Sequence, residues 1–393
     1  MTRADPGTAD VVVIGAGAVG AACAYYAARE GFTVHVVERG QIACGTSSAC
    51  EGNLLVSDKE TGHELDLARY SHSVWHSDLA EFGHLWEFES KGGFVVAATA
   101  QGARALRRLG VRQRQAGIDT VDVDPADIHQ YEPHIREGLT AAAFYPQDAQ
   151  VQPMLMTAHL LRLAREKGAV VSTGVTVTGF ERGGSPDGQR SVTGVRTSNG
   201  TIWCGHVVNA AGTWAGEIAA LAGVEVPILP RRGFILVTEP LPPIVRRKVY
   251  AGEYVAATLS SDEGLQTSTV IEGTRAGTIL IGSSRERVGF DRTVSLPALR
   301  EIAGKALALF PVLARARIVR TYLGFRPYSP DHLPVIGHDS RAPGLWHACG
   351  HEGAGIGLSV GTAKLLTQAL AGRTPDLDLT PFAPERFSNG EHA

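Results

Sequence analysis

The sequence has little of what marks several large protein classes. Its five cysteines, Cys23, Cys44, Cys50, Cys204 and Cys349, are odd in number and form no C-x-x-C pair. That excludes a disulfide framework and leaves no iron–sulfur or zinc motif, and it fits a reducing, cytoplasmic location. There is little charge of one sign to spare: 37 Lys and Arg stand against 40 Asp and Glu, a formal net charge of -3. The basic excess that nucleic-acid binding favours is missing. No apolar run is long enough to cross a bilayer, and the N-terminal "MTRADPGTAD" lacks the basic-then-apolar pattern of a signal peptide. His72 and His76, four apart on an expected helix, have no clear third metal ligand.

Glycine is plentiful, at 46 of 393 residues, and it concentrates in two places: "GAGAVG" at Gly15 to Gly20 and "GHEGAGIG" at Gly350 to Gly357. Such density admits backbone with φ > 0 or the close approach of another group. Two such turns at opposite ends of one chain point to one shared ligand.

Asp10 to Ile14, a β-branched run without alternation, reads as a buried parallel strand. A helix follows from about Ala16 to Glu30, stopped by Gly31, and then a second strand, "FTVHVVE", ending on Glu38. Past a helix near Pro153 to Lys167, short strands separated by "GGSPDG" and "SNG" read as a β-meander inserted between parallel elements. Val226 to Ile281 is mostly strand, Leu296 to Leu313 helical, and about Gly355 to Ala371 helical again.

"VVVIGAGAVG" is G-x-G-x-x-G directly after a strand and opening a helix, with the acidic Glu38 at the end of the next strand. Gly15 permits the tight turn, Gly17 lets backbone approach a pyrophosphate, and Gly20 lets helix and strand pack closely. The helix N-terminus, at Ala18 and Val19, adds partial positive charge, and Glu38 suits ribose hydroxyls. This unit is expected to bind a dinucleotide, NAD or FAD.

Beyond that unit the chain resembles, over nearly its whole length, the D-amino-acid oxidase and glycine oxidase family of flavoproteins. The resemblance rests on "GTSSACEGNLL", "VVNAAGTWAGEIAALAGVEVPILPRRGFILVTE", "GTILIGSSRERVGFD" and "LGFRPYSPDHLPVIGHDSRAPGLWHACGHEGAGIG" in order. It is similar in detail to the catalytic subunits of heteromeric proline, hydroxyproline, opine and cyanide-forming glycine dehydrogenases. The resemblance implies an α/β architecture: a Rossmann-like FAD-binding domain of the glutathione-reductase type with an interleaved α+β substrate domain on a mainly antiparallel sheet. Residues 1–90, 141–222 and 320–393 are expected in the first, 91–140 and 223–319 in the second.

The resemblance also implies an activity: FAD-dependent oxidation of the CH–NH bond of an amino acid or secondary amine to an imine. Electrons would pass to partner subunits or, in the alternative, to oxygen with peroxide as product. Cofactor contacts are implied for Glu38 and Arg39, for Thr46, Ser47 and Ser48, for Gly52 and Asn53, for the backbone of Val177, and for Ala211 and Gly212. At the far end they are implied for Gly353, Gly355, Ile356 and Gly357. On the substrate side Arg326, in "RPYSPD", is implied to pair with the substrate carboxylate, the alternative being a structural pair with Asp331. Tyr254, His351 and Glu352 are the further candidates, and Tyr250 and Phe94 fall in loops expected to set selectivity. Sarcosine-oxidase-like members bind flavin to a cysteine near "RPYSPD" and place a lysine where Leu280 stands here. This chain has neither, so FAD is expected to be noncovalent.

Overall fold

The apolar run Val11–Ile14 is buried on both faces, as a central strand between layers must be. The computed structural model describes residues 7–184, 190–258 and 260–387. Strand Thr8–Ile14 pairs in parallel with Val34–Glu38 on one side and Gly200–Asn209 on the other. Val170–Thr173 extends the parallel sheet beyond Val34–Glu38, and Leu345–Cys349 extends it beyond Gly200–Asn209. Val335–His338 closes that edge antiparallel.

Helix Ala18–Glu30 crosses this sheet with Ala, Gly, Cys and Tyr buried. Small side chains are needed because the helices Pro153–Glu166 and Gly355–Leu370 both pack against it. Gly31, at φ +104°, ends it and donates its N–H to Ala27 and Ala28 carbonyls.

The expected meander is present as Val177–Gly184, Arg190–Thr197 and Gly200–Asn209, each antiparallel to the next. Its last strand is also a parallel neighbour of Thr8–Ile14. The "GGSPDG" turn lies mostly outside the described residues. Val170–Thr173, read as part of the meander, instead joins the parallel sheet. A short β-branched stretch has no pattern that separates the two.

A second eight-stranded sheet runs in the order Ile318–Tyr328, Leu229–Thr238, Ile279–Arg285, Gln266–Gly273, Lys248–Ala251, Gly93–Ala97, Ala141–Tyr145, Val121–Val123. All its pairings are antiparallel except that of Lys248–Ala251 with Gly93–Ala97. Two segments assigned by sequence to the nucleotide-binding part sit here. Ala141–Tyr145 pairs with Gly93–Ala97, and Ile318–Tyr328 runs alongside Leu229–Thr238 from Tyr328↔Leu229 to Ile318↔Thr238. Both are strands whose partners are far away in the chain, so only pairing assigns them. Helix Leu296–Leu309 covers this sheet, ending short of Leu313 where Pro311 begins a 3-10 turn.

Phe94 is wholly buried in a ring cluster with Tyr131 and Phe144, and Tyr250 is buried with its hydroxyl donating to Ser57 Oγ at 2.6 Å. Both are core residues. Among the described residues no helix is long and apolar enough to cross a membrane, and no group of three or more His, Cys, Asp or Glu could hold a metal ion.

Candidate active site

A long cleft of about 420 Å³ runs from the C-terminal ends of the parallel strands to the face of the second sheet, the place where open α/β sheets bind ligands. Gly15, at φ +109°, begins it. A Cβ there would lie 2.5 Å from Ala210 O, and one at Gly20 would lie 2.0 Å from Gly15 O. Gly20 therefore packs helix on strand and does not line the cleft. We expect Gly20→Ala to force the helix off the strand, costing roughly 1–3 kcal/mol and releasing the dinucleotide that the sequence leads one to expect. Cofactor absorbance retained through gel filtration at a parental melting temperature would refute this.

Helix Ala18–Glu30 opens at Gly17 with no side-chain cap, and Ala18 N–H donates to Ser47 Oγ at 2.9 Å. Glu38 accepts from Ala16 N–H at 2.9 Å and Gly40 N–H at 2.7 Å, and each of its oxygens has room for a second donor. The Arg39 guanidinium lies 4.1 Å from the centre of the Trp214 ring, walling this end. Val177, Ala211 and Gly212 line the same stretch.

In the 3-10 turn Thr46–Ser48, Thr46 and Ser47 line the cleft while Ser48 turns back to donate to Gly45 O. Thr46 and Thr213 both donate to Phe325 O, at 2.6 and 2.8 Å, tying the turn to the second sheet. Gly52 faces away, where a Cβ would lie 1.7 Å from Val151 O. Asn53 lines the cleft, and its Oδ1 is buried without a hydrogen-bond partner.

At the other end Gly353, Gly355 and Ile356 line the cleft. Helix Gly355–Leu370 starts there without a side-chain cap, so no side chain of its N-cap competes with a ligand for its first N–H groups. Gly357 lies outside the lining, its carbonyl accepting from Ser71 Oγ and Trp75 Nε1. Two helix N-termini whose N-cap residues supply no side-chain cap, a glycine cradle and an orphaned amide oxygen along one elongated cleft fit a dinucleotide. Those residues would hold its pyrophosphate, ribose and ring system.

Arg326 sits on strand Ile318–Tyr328 and reaches into the cleft, one Nη1–H donating to Ser284 O at 2.8 Å. Among the described residues it has no carboxylate partner. Asp331 is taken by Arg386, at 2.6 Å. Burial and the neighbouring Arg285 hold the Arg326 pKa down, so an anion is favoured there.

Tyr254 lines the cleft from the short helix Glu253–Thr258, with the Arg285 guanidinium 4.7 Å from its ring centre. His351 gives its ring to Thr362 Oγ1 at 3.0 Å, and burial drives its pKa down to about 3, so it is neutral. Glu352, at φ +44°, accepts from Arg231 Nη1 at 2.6 Å and is 3.2 Å from His332 Nδ1.

Four charged side chains here carry no glycine-type signal in the sequence: Arg231, Arg285, Lys248 and Glu51. Arg231 is wholly buried. Lys248 and Glu272 form a buried pair at 3.1 Å. Glu51 lines the cleft. Its one clue is that it is the single carboxylate among the small residues of "GTSSACEGN".

Comparison with known proteins agrees with this geometry. The family model described as "DAO: FAD dependent oxidoreductase" matches residues 10–369. The chain is 30% identical to a glycine oxidase of Pseudomonas putida, covering 95% of this chain and 98% of that one. It is 28% identical to hydrogen cyanide synthase subunit HcnC of Pseudomonas aeruginosa, covering 97% and 96%. Among solved structures, glycine oxidase from Geobacillus kaustophilus superposes with a TM-score of 0.86 at 26% identity, covering 96% of this chain and 99% of that one. The L-proline dehydrogenase of P. horikoshii shares the fold with a TM-score of 0.87 at 24% identity, over 99% and 100%. With a glycine cradle, two helix N-termini at one cleft and a family match over nearly its full length, the chain belongs to the DAO family of FAD-dependent oxidoreductases.

Proposed function

We propose that the protein oxidises the carbon–nitrogen bond of an amino acid or secondary amine, of the proline, hydroxyproline, glycine or opine type, to an imine that water then hydrolyses. The observation that carries this reading is Arg326, a guanidinium in the cleft without a carboxylate of its own. A planar fork of donors binds a carboxylate through two hydrogen bonds, and doing so at the cleft end fixes the α-carbon. Bound FAD supplies the hydride acceptor. Tyr254 and Ile235 exclude water beside the substrate carbon. His351 and Glu352 hold the turn before helix Gly355–Leu370, the first through Thr362 and the second through Arg231.

On this reading the nucleotide-binding part takes, of the described residues, 7–90, 146–184, 190–222 and 329–387, and the substrate part the second sheet with its helix. FAD is noncovalent: the segment Tyr322–Tyr328 has no cysteine. The Cys50 and Cys349 thiols, which line the cleft, are pushed up to about 12 by burial and stay protonated. The electron acceptor is a partner subunit, since a relative is itself a subunit of hydrogen cyanide synthase, and five free cysteines accord with the cytoplasm. A stand-alone oxidase is the second reading, favoured by the likeness to glycine oxidases.

The test is the visible spectrum of the purified, FAD-loaded protein without oxygen. Bleaching by proline, hydroxyproline, glycine or an opine is expected, with slow recovery in air and fast reduction of an artificial dye. No bleaching by any amino acid would sink the proposal, and rapid stoichiometric peroxide would select the oxidase.

A further inference from the structure

Glu51 is 8% exposed, and its Oε1 is buried with no hydrogen-bond partner. Among the described residues it is in no ion pair. The nearby cation, Lys248, is bonded to Glu272, whose other oxygen accepts Gly52 N–H at 3.3 Å. Burial raises the Glu51 pKa and Glu272 adds to that, while the charges of Lys248, Arg326 and Arg285 oppose it without any of them forming an ion pair with it. An unpaired carboxylate next to a second one is costly to bury, and it faces the cleft that Arg326 faces.

The separation of the two groups follows from the sheet beneath them. A Cβ at Gly282 would meet Glu51 Oε1 at 2.3 Å and Ile235 Cδ1 at 2.9 Å, and one at Gly233 would meet Arg326 Nη1 at 2.2 Å. Ile235 and Gly233 are two apart on strand Leu229–Thr238, hence on one face and about 7 Å apart. Both charged ends thus lie over bare backbone on the same face. An α-amino acid carries carboxylate and nitrogen on one carbon, and a hydrogen bond of about 2.8 Å at each end lets it bridge a gap of that order.

Resting on the reading of Arg326 given above, we propose that Glu51 is the substrate-nitrogen subsite, accepting hydrogen bonds from the ammonium of an amino acid whose carboxylate is held by Arg326. A carboxylate accepts and does not donate when ionised, so this end selects N–H-bearing substrates. The two residues form a clamp for zwitterions and discriminate against simple carboxylates, which leave the Glu51 carboxylate unpaired, and less strongly against 2-hydroxy acids, whose O–H offers one uncharged donor where an ammonium offers charge-assisted ones.

The experiment compares parent, Glu51→Gln, Glu51→Asp and Arg326→Ala, each FAD-loaded and without oxygen. It measures the concentration of bleaching amino acid that gives half-maximal bleaching, and the dissociation constant of acetate from its perturbation of the FAD spectrum. FAD content is read by absorbance. Glu51→Gln is expected to raise the amino-acid value about tenfold or more while acetate stays within about threefold, and Glu51→Asp is expected to recover part of the loss. Equal changes for both ligands, or none, would overturn the clamp. So would loss of FAD in both Glu51 variants, which would make Glu51 a support of the cofactor site. The Arg326→Ala protein separates the two ideas: if it binds acetate and amino acid as the parent does, the underlying reading of Arg326 fails, whatever Glu51 does.

Discussion

Replacing Arg326 with Ala is expected to lower kcat/KM by about 10³-fold while FAD stays bound. The size follows from two charge-assisted hydrogen bonds to a substrate carboxylate, together about 4 kcal/mol. The fold loses little, because among the described residues the guanidinium gives one hydrogen bond, to the carbonyl Ser284 O. Asp331 keeps Arg386, so no ion pair among the described residues is broken. Arg326→Lys is expected to recover only part of the loss, because an ammonium lacks the planar fork. Steady-state kinetics with the bleaching amino acid, beside the FAD-to-protein absorbance ratio, checks this. An Ala variant within tenfold of the parent, with FAD retained, would remove Arg326 from the substrate site.

Replacing Glu352 with Ala is expected to be the most destabilising polar substitution at the cleft. Arg231 is wholly buried and meets Glu352 at 2.6 Å, with Ser260 O taking the other end of its fork at 2.8 Å. Removing one partner of a buried pair leaves a charge without a counter-charge, a loss of about 3–5 kcal/mol. In a chain of this size that corresponds to a fall in melting temperature of roughly 4–6 °C. The double variant Arg231→Met, Glu352→Leu is expected to recover most of it, because an apolar pair of similar volume has no desolvation cost to offset. Thermal unfolding of the FAD-loaded proteins decides. A Glu352→Ala protein as stable as the parent would mean that the pair does not hold the turn.

Much of the nucleotide half was legible in the chain because its signals are local. A β-branched run, a glycine that needs φ > 0, a helix of small residues and a terminal carboxylate lie within some thirty consecutive positions, from Asp10 to Glu38. Each does its work against near neighbours: Gly20 against Gly15, Glu38 against Ala16 and Gly40. The second glycine-rich turn was legible for the same reason, as an uncapped helix start at Gly355.

The charged residues of the substrate end were not. Arg231 finds Glu352 121 positions away, Lys248 finds Glu272, and Arg386 rather than Arg326 takes Asp331. Asp331 follows Arg326 closely in "RPYSPD", which made that pair a reasonable alternative, yet the chain turns and offers it to the C-terminal segment instead. Glu51 is the plainest case. Nothing in its neighbours distinguishes a helix-turn carboxylate from one left unpaired in a cleft.

By itself the sequence determined the cofactor class, the strand–turn–helix at the head of the cleft and the family, since these depend on backbone conformation and on contacts a few residues apart. Tertiary structure decided which strands form the substrate sheet and which charges face the ligand. Those outcomes depend on pairing across hundreds of residues and on which buried groups are left without a partner, and a pattern along the chain records neither.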